Sequence, residues 1–146
     1  MTMASLFRRF FARFFGVQRI DSITIEHTVL DDLCMMAREA HPKEMLAFFA
    51  STKGVRKGVL HIDEIQLQAY YASDDSASVM LSNLPMTTSI VGTVHSHPGG
   101  STHHSDADRH LFSKFGFVHA IIGEPYNTGR IAFYDKNGAR LQVLII

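Results

Sequence analysis

Short apolar segments of strand length, separated by Gly, Pro and Asn turns, divide most of this chain. Such runs bounded by turn residues predict β-strands. The predicted strands are Met45–Ser51, Val59–Tyr71, Ser89–His97, Phe117–Gly123, Arg130–Tyr134 and Arg140–Ile146, the last two joined as a hairpin by Asn137-Gly138. Helical spacing predicts helices over 27–40 and from Ser105 to Phe115. Since most neighbours are linked by short turns, we expect an α+β fold with a mostly antiparallel or mixed sheet and helices packed on it.

The composition limits the chain to few classes of protein. Its 146 residues allow one globular domain. Cys34 is the single cysteine, which excludes a disulfide scaffold and a four-cysteine zinc module. No apolar run reaches the roughly 18 residues of a transmembrane helix, so we expect a cytoplasmic protein.

The first 20 residues differ in composition from the rest, so we expect a basic aromatic arm over 1–20 and a domain over 21–146. The arm carries four arginines and no acid, and five phenylalanines lie between Phe7 and Phe15. Residues 4–16 have the spacing of a short amphipathic helix, with three alternatives: docking on its own domain, a protein partner or homodimer, or a membrane surface. Because the body is neutral to acidic, we expect no nucleic-acid binding.

Four of the nine histidines lie within the ten residues from His95 to His104. His95 and His97 end an apolar strand before a Pro-Gly-Gly turn. Positions i and i+2 of a strand share a face, so both imidazoles can reach one metal ion. We expect His103 and His104 to be solvated loop residues, and His119 to be structural or exposed.

Ser105 and Asp108 form a helix-start pattern just after this strand. On the first turn of a helix these two positions are neighbours, and the intervening loop can return that turn to the strand end. Alone, the pair is typical of a plain helix cap, and an isolated pair of histidines is weak evidence for a metal. Together they favour two histidines, one aspartate and a hydroxyl around one point, which is typical of a catalytic zinc with an open fourth position.

A catalytic zinc of this kind also needs a base that takes a proton from water. Glu44 immediately precedes the apolar strand that begins at Met45, which makes it the leading candidate. Spacing alone does not choose it over Glu64.

These motifs together resemble the JAMM (MPN-plus) metalloprotease family. The family pattern is an upstream glutamate, then HxHP, six or seven residues, and SxxD. The resemblance covers roughly residues 24–146, although Ala47 stands where many members have glycine. The matching segments are Pro42–Glu44, His95–Pro98 and Ser105–Asp108.

The resemblance implies a curved mixed sheet flanked by helices and a role for each matching residue. His95, His97 and Asp108 would ligate one zinc ion per chain. Glu44 would deprotonate the water and pass the proton to the leaving amine, and Ser105 would hydrogen-bond the oxyanion. Because all five positions carry the expected residue type, an active enzyme is favoured over the family's metal-free scaffolds.

The substrate class also follows only from the resemblance. Family enzymes cut after the C-terminal Gly-Gly of ubiquitin-like proteins, and a compact member resembles the prokaryotic and archaeal type. The expected partner is therefore a small ubiquitin-like modifier or a sulfur-carrier protein. The alternatives are a non-catalytic module that binds ubiquitin-like proteins, and another metal hydrolase, which would need ligands on a larger barrel.

Overall fold

The computed structural model describes residues 19–71 and 90–146 of the protein. In this part of the chain there are two α-helices, α1 (His27–Ala40) and α2 (Asp106–Phe112), and a short 3-10 turn (Thr128–Arg130). The strands are β1 (Ser22–Ile25), β2 (Glu44–Ala50), β3 (Val55–Arg56), β4 (Val59–Ile62), β5 (Glu64–Tyr71), β6 (Ile90–His97), β7 (His119–Gly123), β8 (Ile131–Tyr134) and β9 (Leu144–Ile145).

The strands form two mixed sheets, which confirms the predicted α+β class. The larger sheet has the order β5-β2-β6-β7-β8, and the smaller has the order β3-β4-β1-β9. In the larger sheet β6 is the central strand, antiparallel to β2 and parallel to β7. The strand that ends in the histidine pair therefore has a partner strand on each side.

Helix α1 and the inner faces of the sheets build the main core. Val29, Leu30, Leu33 and Ala37 recur at helical spacing and are buried, so one stripe of the helix packs inward. Strand β2 is buried along almost its whole length because it lies between β5 and β6. The helix ends at Ala40, two residues before Pro42, since a proline disfavours helical backbone in the residue before it.

The predicted strand Val59–Tyr71 is wrong as one element. It divides at Asp63 into β4 and β5, which belong to different sheets. The Asp63 carboxylate accepts the main-chain N–H of Thr52 at 2.9 Å, and the Asp63 N–H donates to the carbonyl of Ala50. These bonds fix the point at which the chain crosses between the sheets.

The predicted C-terminal hairpin is wrong beyond its turn. The chain does reverse at Gly138, where φ is +82°, but Tyr134 and Arg140 form only an isolated bridge. The chain then leaves β8, and β9 pairs in parallel with β1 of the other sheet. The Asn-Gly signal fixes the turn locally, whereas the open edge of β1 determines where the last strand pairs.

Helix α2 and strand β7 are shorter than predicted. The helix stops at Phe112 rather than Phe115, and the strand begins at His119 rather than Phe117. Between them Gly116 has φ +71°, and the next two residues donate their main-chain N–H groups to the carbonyl of Val91. These bonds hold the segment between α2 and β7 against β6, in a conformation that is neither helix nor strand.

The arm segment 4–16 lies outside the described residues. No helix within 19–71 and 90–146 is long and apolar enough to cross a membrane.

Candidate metal centre

The side chains of His95 and His97 converge at the end of β6. Their Nε2 atoms are 3.1 Å apart, as the shared face of a strand predicts. His95 is buried, and the His97 side chain is 18% exposed. The pair therefore lies at the boundary between the core and the solvent.

Asp108 brings a carboxylate to the same point from the first turn of α2. Its Oδ1 lies 3.0 Å from Nε2 of His95, and its Oδ2 lies 3.6 Å from Nε2 of His97. The helix begins with a capping box, in which the Ser105 Oγ accepts the Asp108 N–H at 3.1 Å and the Asp108 Oδ2 accepts the Ser105 N–H at 2.7 Å. The helix cap and the ligand position are thus properties of the same aspartate, and the cap orients its carboxylate.

The spacing of these three groups fits a divalent metal ion. A tetrahedral ion with bonds of roughly 2.0–2.2 Å places neighbouring ligand atoms about 3.3–3.6 Å apart. The two Nε2 atoms are 3.1 Å apart, and the Asp108 oxygens nearest to them lie 3.0 Å from His95 (Oδ1) and 3.6 Å from His97 (Oδ2), all close to that range. Within the described part of the chain, His95, His97 and Asp108 are the group of His, Cys, Asp or Glu side chains whose ligand atoms converge, all within 4.8 Å of one another.

The second nitrogen of His97 is held by the main chain. Its Nδ1 lies 2.8 Å from the carbonyl oxygen of Ser101, which can only accept, so Nδ1 carries the proton. The Nε2 lone pair is then free to face a metal, as in metal sites where an outer hydrogen bond fixes the tautomer. The Nδ1 of His95 is buried and finds no hydrogen-bond partner among the residues described.

The charges of the site also favour a bound cation. Burial raises the pKa of Asp108, but hydrogen bonds with His95 and His97 outweigh it and hold this pKa well below its usual range. The Asp108 hydrogen bond in turn raises the pKa of His97. An ionised carboxylate therefore faces two imidazoles, which is the donor set of a zinc-type site.

Glu44 begins β2, the antiparallel neighbour of β6. Leu46 is paired with His95, so the same register brings Glu44 level with His97. The negative charge of Glu44 contributes to the raised pKa of His97. Glu64, the other candidate from the sequence, is paired with Ala50 at the far end of β2, about 20 Å away at 3.3 Å per residue.

Ser105 lies at the exposed edge of the centre, at the N-cap of α2. Its hydroxyl oxygen accepts the Asp108 N–H, which leaves the hydroxyl proton available to donate. The structure thus brings the five residues singled out from the sequence to neighbouring strand and helix ends.

The prediction for His104 is wrong. Its Nε2 lies 2.8 Å from the carbonyl of Gly138, its Nδ1 is buried, and its ring contacts Phe112 and Tyr134 edge-on. The rings of Phe112 and Tyr134 explain the difference, because they pack against His104 and shield it from solvent. His103 is exposed, as expected, and His119 is fully buried, one of its two expected states.

Two residues that support the site were not identified from the sequence. Ser96 accepts the main-chain N–H of Met45 at 2.8 Å and so ties β6 to the start of β2. Arg130 donates to the carbonyls of Glu124 and Gly100 beside the histidine pair. Ser96 occupies the unspecified position of the HxHP motif and Arg130 belongs to no motif. Their partners Met45 and Gly100 are 51 and 30 residues away in the chain.

Comparisons with known proteins identify the family of the chain. The family described as prokaryotic homologs of the JAB domain matches residues 26–135. A protein of Haloferax volcanii named "Probable metalloprotease" is 31% identical in an alignment of 121 residues, and the match covers 80% of this chain and 74% of that protein.

Two solved structures have the same fold. A JAB1/MPN domain protein from Archaeoglobus fulgidus is 27% identical with a TM-score of 0.65, over 84% of this chain and 98% of that one. A structure described as JAMM, a metalloprotease-like zinc site in the proteasome and signalosome, is 28% identical with a TM-score of 0.64, over 86% and 98% of the two chains. The chain therefore belongs to the family of prokaryotic JAB-domain homologs, has the JAB1/MPN fold and is a member of the JAMM/MPN-like metalloprotease family.

Proposed function

We propose that this protein is a zinc-dependent isopeptidase or peptidase that cleaves after the C-terminal Gly-Gly of a small ubiquitin-like modifier or sulfur-carrier protein. One observation carries the proposal: two imidazole nitrogens lie 3.1 Å apart, each within 3.0–3.6 Å of one of the two oxygens of the same carboxylate, beside a glutamate at the start of the adjacent strand. A cluster of two histidines and an aspartate that only stabilised the fold would not need the Glu44 carboxylate at the same edge of the sheet.

One zinc ion per chain is the metal we assign to His95, His97 and Asp108. Nitrogen and carboxylate donors in tetrahedral geometry suit zinc, and three protein ligands leave one position for water or substrate. When bound there, zinc supplies a Lewis acid that makes water a strong nucleophile near neutral pH and polarises a carbonyl group.

Glu44 would then transfer the protons, and Ser105 would stabilise the developing negative charge. Glu44 accepts a proton from the attacking water and later delivers it to the nitrogen of the departing amine, so that the amide bond breaks with no net proton gained or lost. Ser105 donates its hydroxyl proton to the oxygen of the tetrahedral intermediate, where negative charge develops. Asp108 is held in place for its role by the capping box with Ser105.

The protease assignment is supported by the relatives, and the Gly-Gly specificity by backbone chemistry. The relatives include a "Probable metalloprotease" and a metalloprotease-like zinc site in the proteasome and signalosome. A diglycine tail lacks Cβ atoms, so its main chain can approach a recessed metal more closely than any other sequence.

The test is hydrolysis of a fluorescent Gly-Gly-linked conjugate of a prokaryotic ubiquitin-like protein by the zinc-loaded protein. We expect cleavage after the second glycine, its loss with a chelator, and recovery when zinc is returned. Glu44→Gln should reduce the rate at least 100-fold, the lower end for a general base, while zinc binding persists. Glu64→Gln is the matched control, because this carboxylate begins β5 at the far end of β2, and it should cleave normally.

Two outcomes would contradict the proposal in different ways. Equal cleavage by Glu44→Gln and the native protein would remove Glu44 from the reaction. Purified protein that binds no stoichiometric zinc and still binds the modifier would indicate the alternative, a non-catalytic module for ubiquitin-like proteins.

A further inference from the structure

Arg130 joins two loops at the edge of the metal centre. It ends the 3-10 turn before β8, its Nε donates to the carbonyl of Glu124 at 3.2 Å, and its Nη2 donates to the carbonyl of Gly100. Within 19–71 and 90–146 no carboxylate pairs with it. Its planar guanidinium is therefore committed to two main-chain oxygens.

Both acceptors lie within three residues of the strand ends that build the site. Gly100 closes the turn after β6, where its N–H donates to the carbonyl of His97 at 3.1 Å. Glu124 follows Gly123, the last residue of β7 and the register partner of His97. The two bonds thus hold the loop after β6 against the end of β7.

The loop lies very close to β7, which makes this contact specific. A Cβ atom at Gly123 would be 2.4 Å from the carbonyl oxygen of Gly100, the same oxygen that accepts from Arg130. A glycine at 123 is therefore required for the approach that brings this oxygen within reach of the guanidinium.

The position of Gly100 matters because the next carbonyl contacts a proposed metal ligand. Ser101 lies one peptide further along, and its carbonyl accepts the Nδ1 proton of His97 at 2.8 Å. A shift of the Gly100–Ser101 peptide would displace the adjoining Ser101–Thr102 peptide, whose carbonyl accepts from His97. The His97 ring would then lose the contact that fixes its orientation and tautomer.

We propose that Arg130 is a positioning residue for the metal centre: by bridging the carbonyls of Gly100 and Glu124 it fixes the Gly100–Ser101 peptide, and with it the adjoining Ser101 carbonyl that orients His97. This inference rests on the proposed metal centre but not on the proposed substrate. The guanidinium suits the role because its donors form a rigid fork that spans two carbonyl groups, which a single ammonium group cannot reproduce.

The first measurement is zinc affinity by competition with a chelator. Loss of an outer hydrogen-bond partner costs metal sites about 10–100-fold, so we expect Arg130→Ala to bind zinc about tenfold more weakly. Arg130→Lys should recover only part of this loss, because it keeps the charge without the fork. Arg56→Ala is the matched control, since Arg56 also donates Nε to a carbonyl, that of Lys53, in the other sheet.

The second measurement is spectroscopic and does not depend on turnover. In the metal-free protein, imidazole ¹⁵N NMR at a pH where His97 is neutral should show mainly the Nδ1–H tautomer in the native chain and in Arg56→Ala, and a mixture in Arg130→Ala. The visible absorption of the Co²⁺-substituted protein should change in intensity for the same variant only, because it reports ligand geometry.

The outcomes separate this inference from the proposed function. If the native protein binds zinc, and both Arg130→Ala and Arg130→Lys show its affinity, tautomer and Co²⁺ spectrum, the positioning role is wrong and the metal centre stands. If the native protein binds no zinc, the metal centre fails and the inference falls with it. Should Arg130→Ala not fold, Arg130→Lys provides the test with the charge and side-chain stem retained.

Discussion

The hydroxyl oxygen of Ser96 accepts the main-chain N–H of Met45 at 2.8 Å, in a hydrogen bond buried between β6 and β2. Ser96 lies between the two proposed histidine ligands, and Met45 follows Glu44 directly. This one side chain therefore joins the strand that carries the metal ligands to the strand that carries the proposed base. The bond holds the start of β2, where Glu44 lies, against the end of β6, where the histidines lie.

We predict that Ser96→Ala loses both stability and proteolytic activity. The substitution leaves the buried N–H of Met45 without a partner, which costs about 1–3 kcal/mol, measurable by urea denaturation. Proteolysis should fall more than zinc binding, because the position of Glu44 is loosened while the ligands remain. Ser51→Ala is a matched control: Ser51 is also buried and accepts the N–H of Gly54 at 3.0 Å, remote from the site. Equal loss of activity in both variants would contradict a specific role for Ser96.

Asp108→Asn separates the ligand from the helix cap. Asparagine keeps a side-chain oxygen that can accept the Ser105 N–H, so helix α2 should persist by circular dichroism. The negative charge toward His95 and His97 is lost, and we expect zinc affinity to fall by more than about 100-fold, beyond the range for outer-shell partners. Asp106→Asn is the control, because Asp106 on the same turn is 94% exposed and should bind zinc normally. Undiminished zinc binding by Asp108→Asn would remove this aspartate from the ligand set.

The local geometry of the site follows from the sequence because it depends on short-range rules. Strand alternation alone places His95 and His97 on one face, and the helix-start pattern alone places Ser105 beside Asp108. The sequence treats the cap and the ligand as alternatives for Asp108, whereas the structure shows that one carboxylate does both.

The remaining features depend on long-range pairing. Spacing in the sequence does not choose Glu44 over Glu64, whereas the register of β2 with β6 and β5 places Glu44 at the site and Glu64 at the far end of β2. The pairing of β9 with β1 likewise joins residues about 120 positions apart, which no local pattern specifies. The sequence predicts His104 in solvent because its contacts, Tyr134 and the carbonyl of Gly138, lie 30 or more residues away in the chain.

Gly123→Ala should disturb the metal centre from outside the ligand set. The new Cβ atom would meet the main chain of Gly100 at 2.4 Å, so the loop after β6 must move. Overpacking of this kind costs about 1–3 kcal/mol, and we expect weaker zinc binding together with a lower unfolding midpoint. The control is Gly99→Ala in the same loop, where a Cβ atom would have no neighbour within 4 Å. If the two variants bind zinc equally well, the close approach of loop and strand does not support the centre.

His119 gives the protein a pH-dependent stability that is independent of catalysis. The ring is fully buried against Phe112, with centroids 4.6 Å apart, and its Nδ1 faces the main-chain N–H of Thr93 at 3.3 Å and the Thr93 hydroxyl at 2.8 Å. Since a main-chain N–H can only donate, Nδ1 accepts and the ring is neutral. Burial lowers the pKa of His119 to about 4.

We predict that the free energy of unfolding falls as the pH falls from about 6.5 to about 4. Above 6.5 His119 is neutral in both states; between the two values only the unfolded chain takes up the proton, which favours unfolding by as much as about 3 kcal/mol at the lower end. His119→Asn keeps an acceptor for Thr93 and should flatten this part of the pH profile in urea titrations. The exposed His110→Asn should leave the slope unchanged, and an identical slope in all three proteins would show that His119 titrates normally in the folded state.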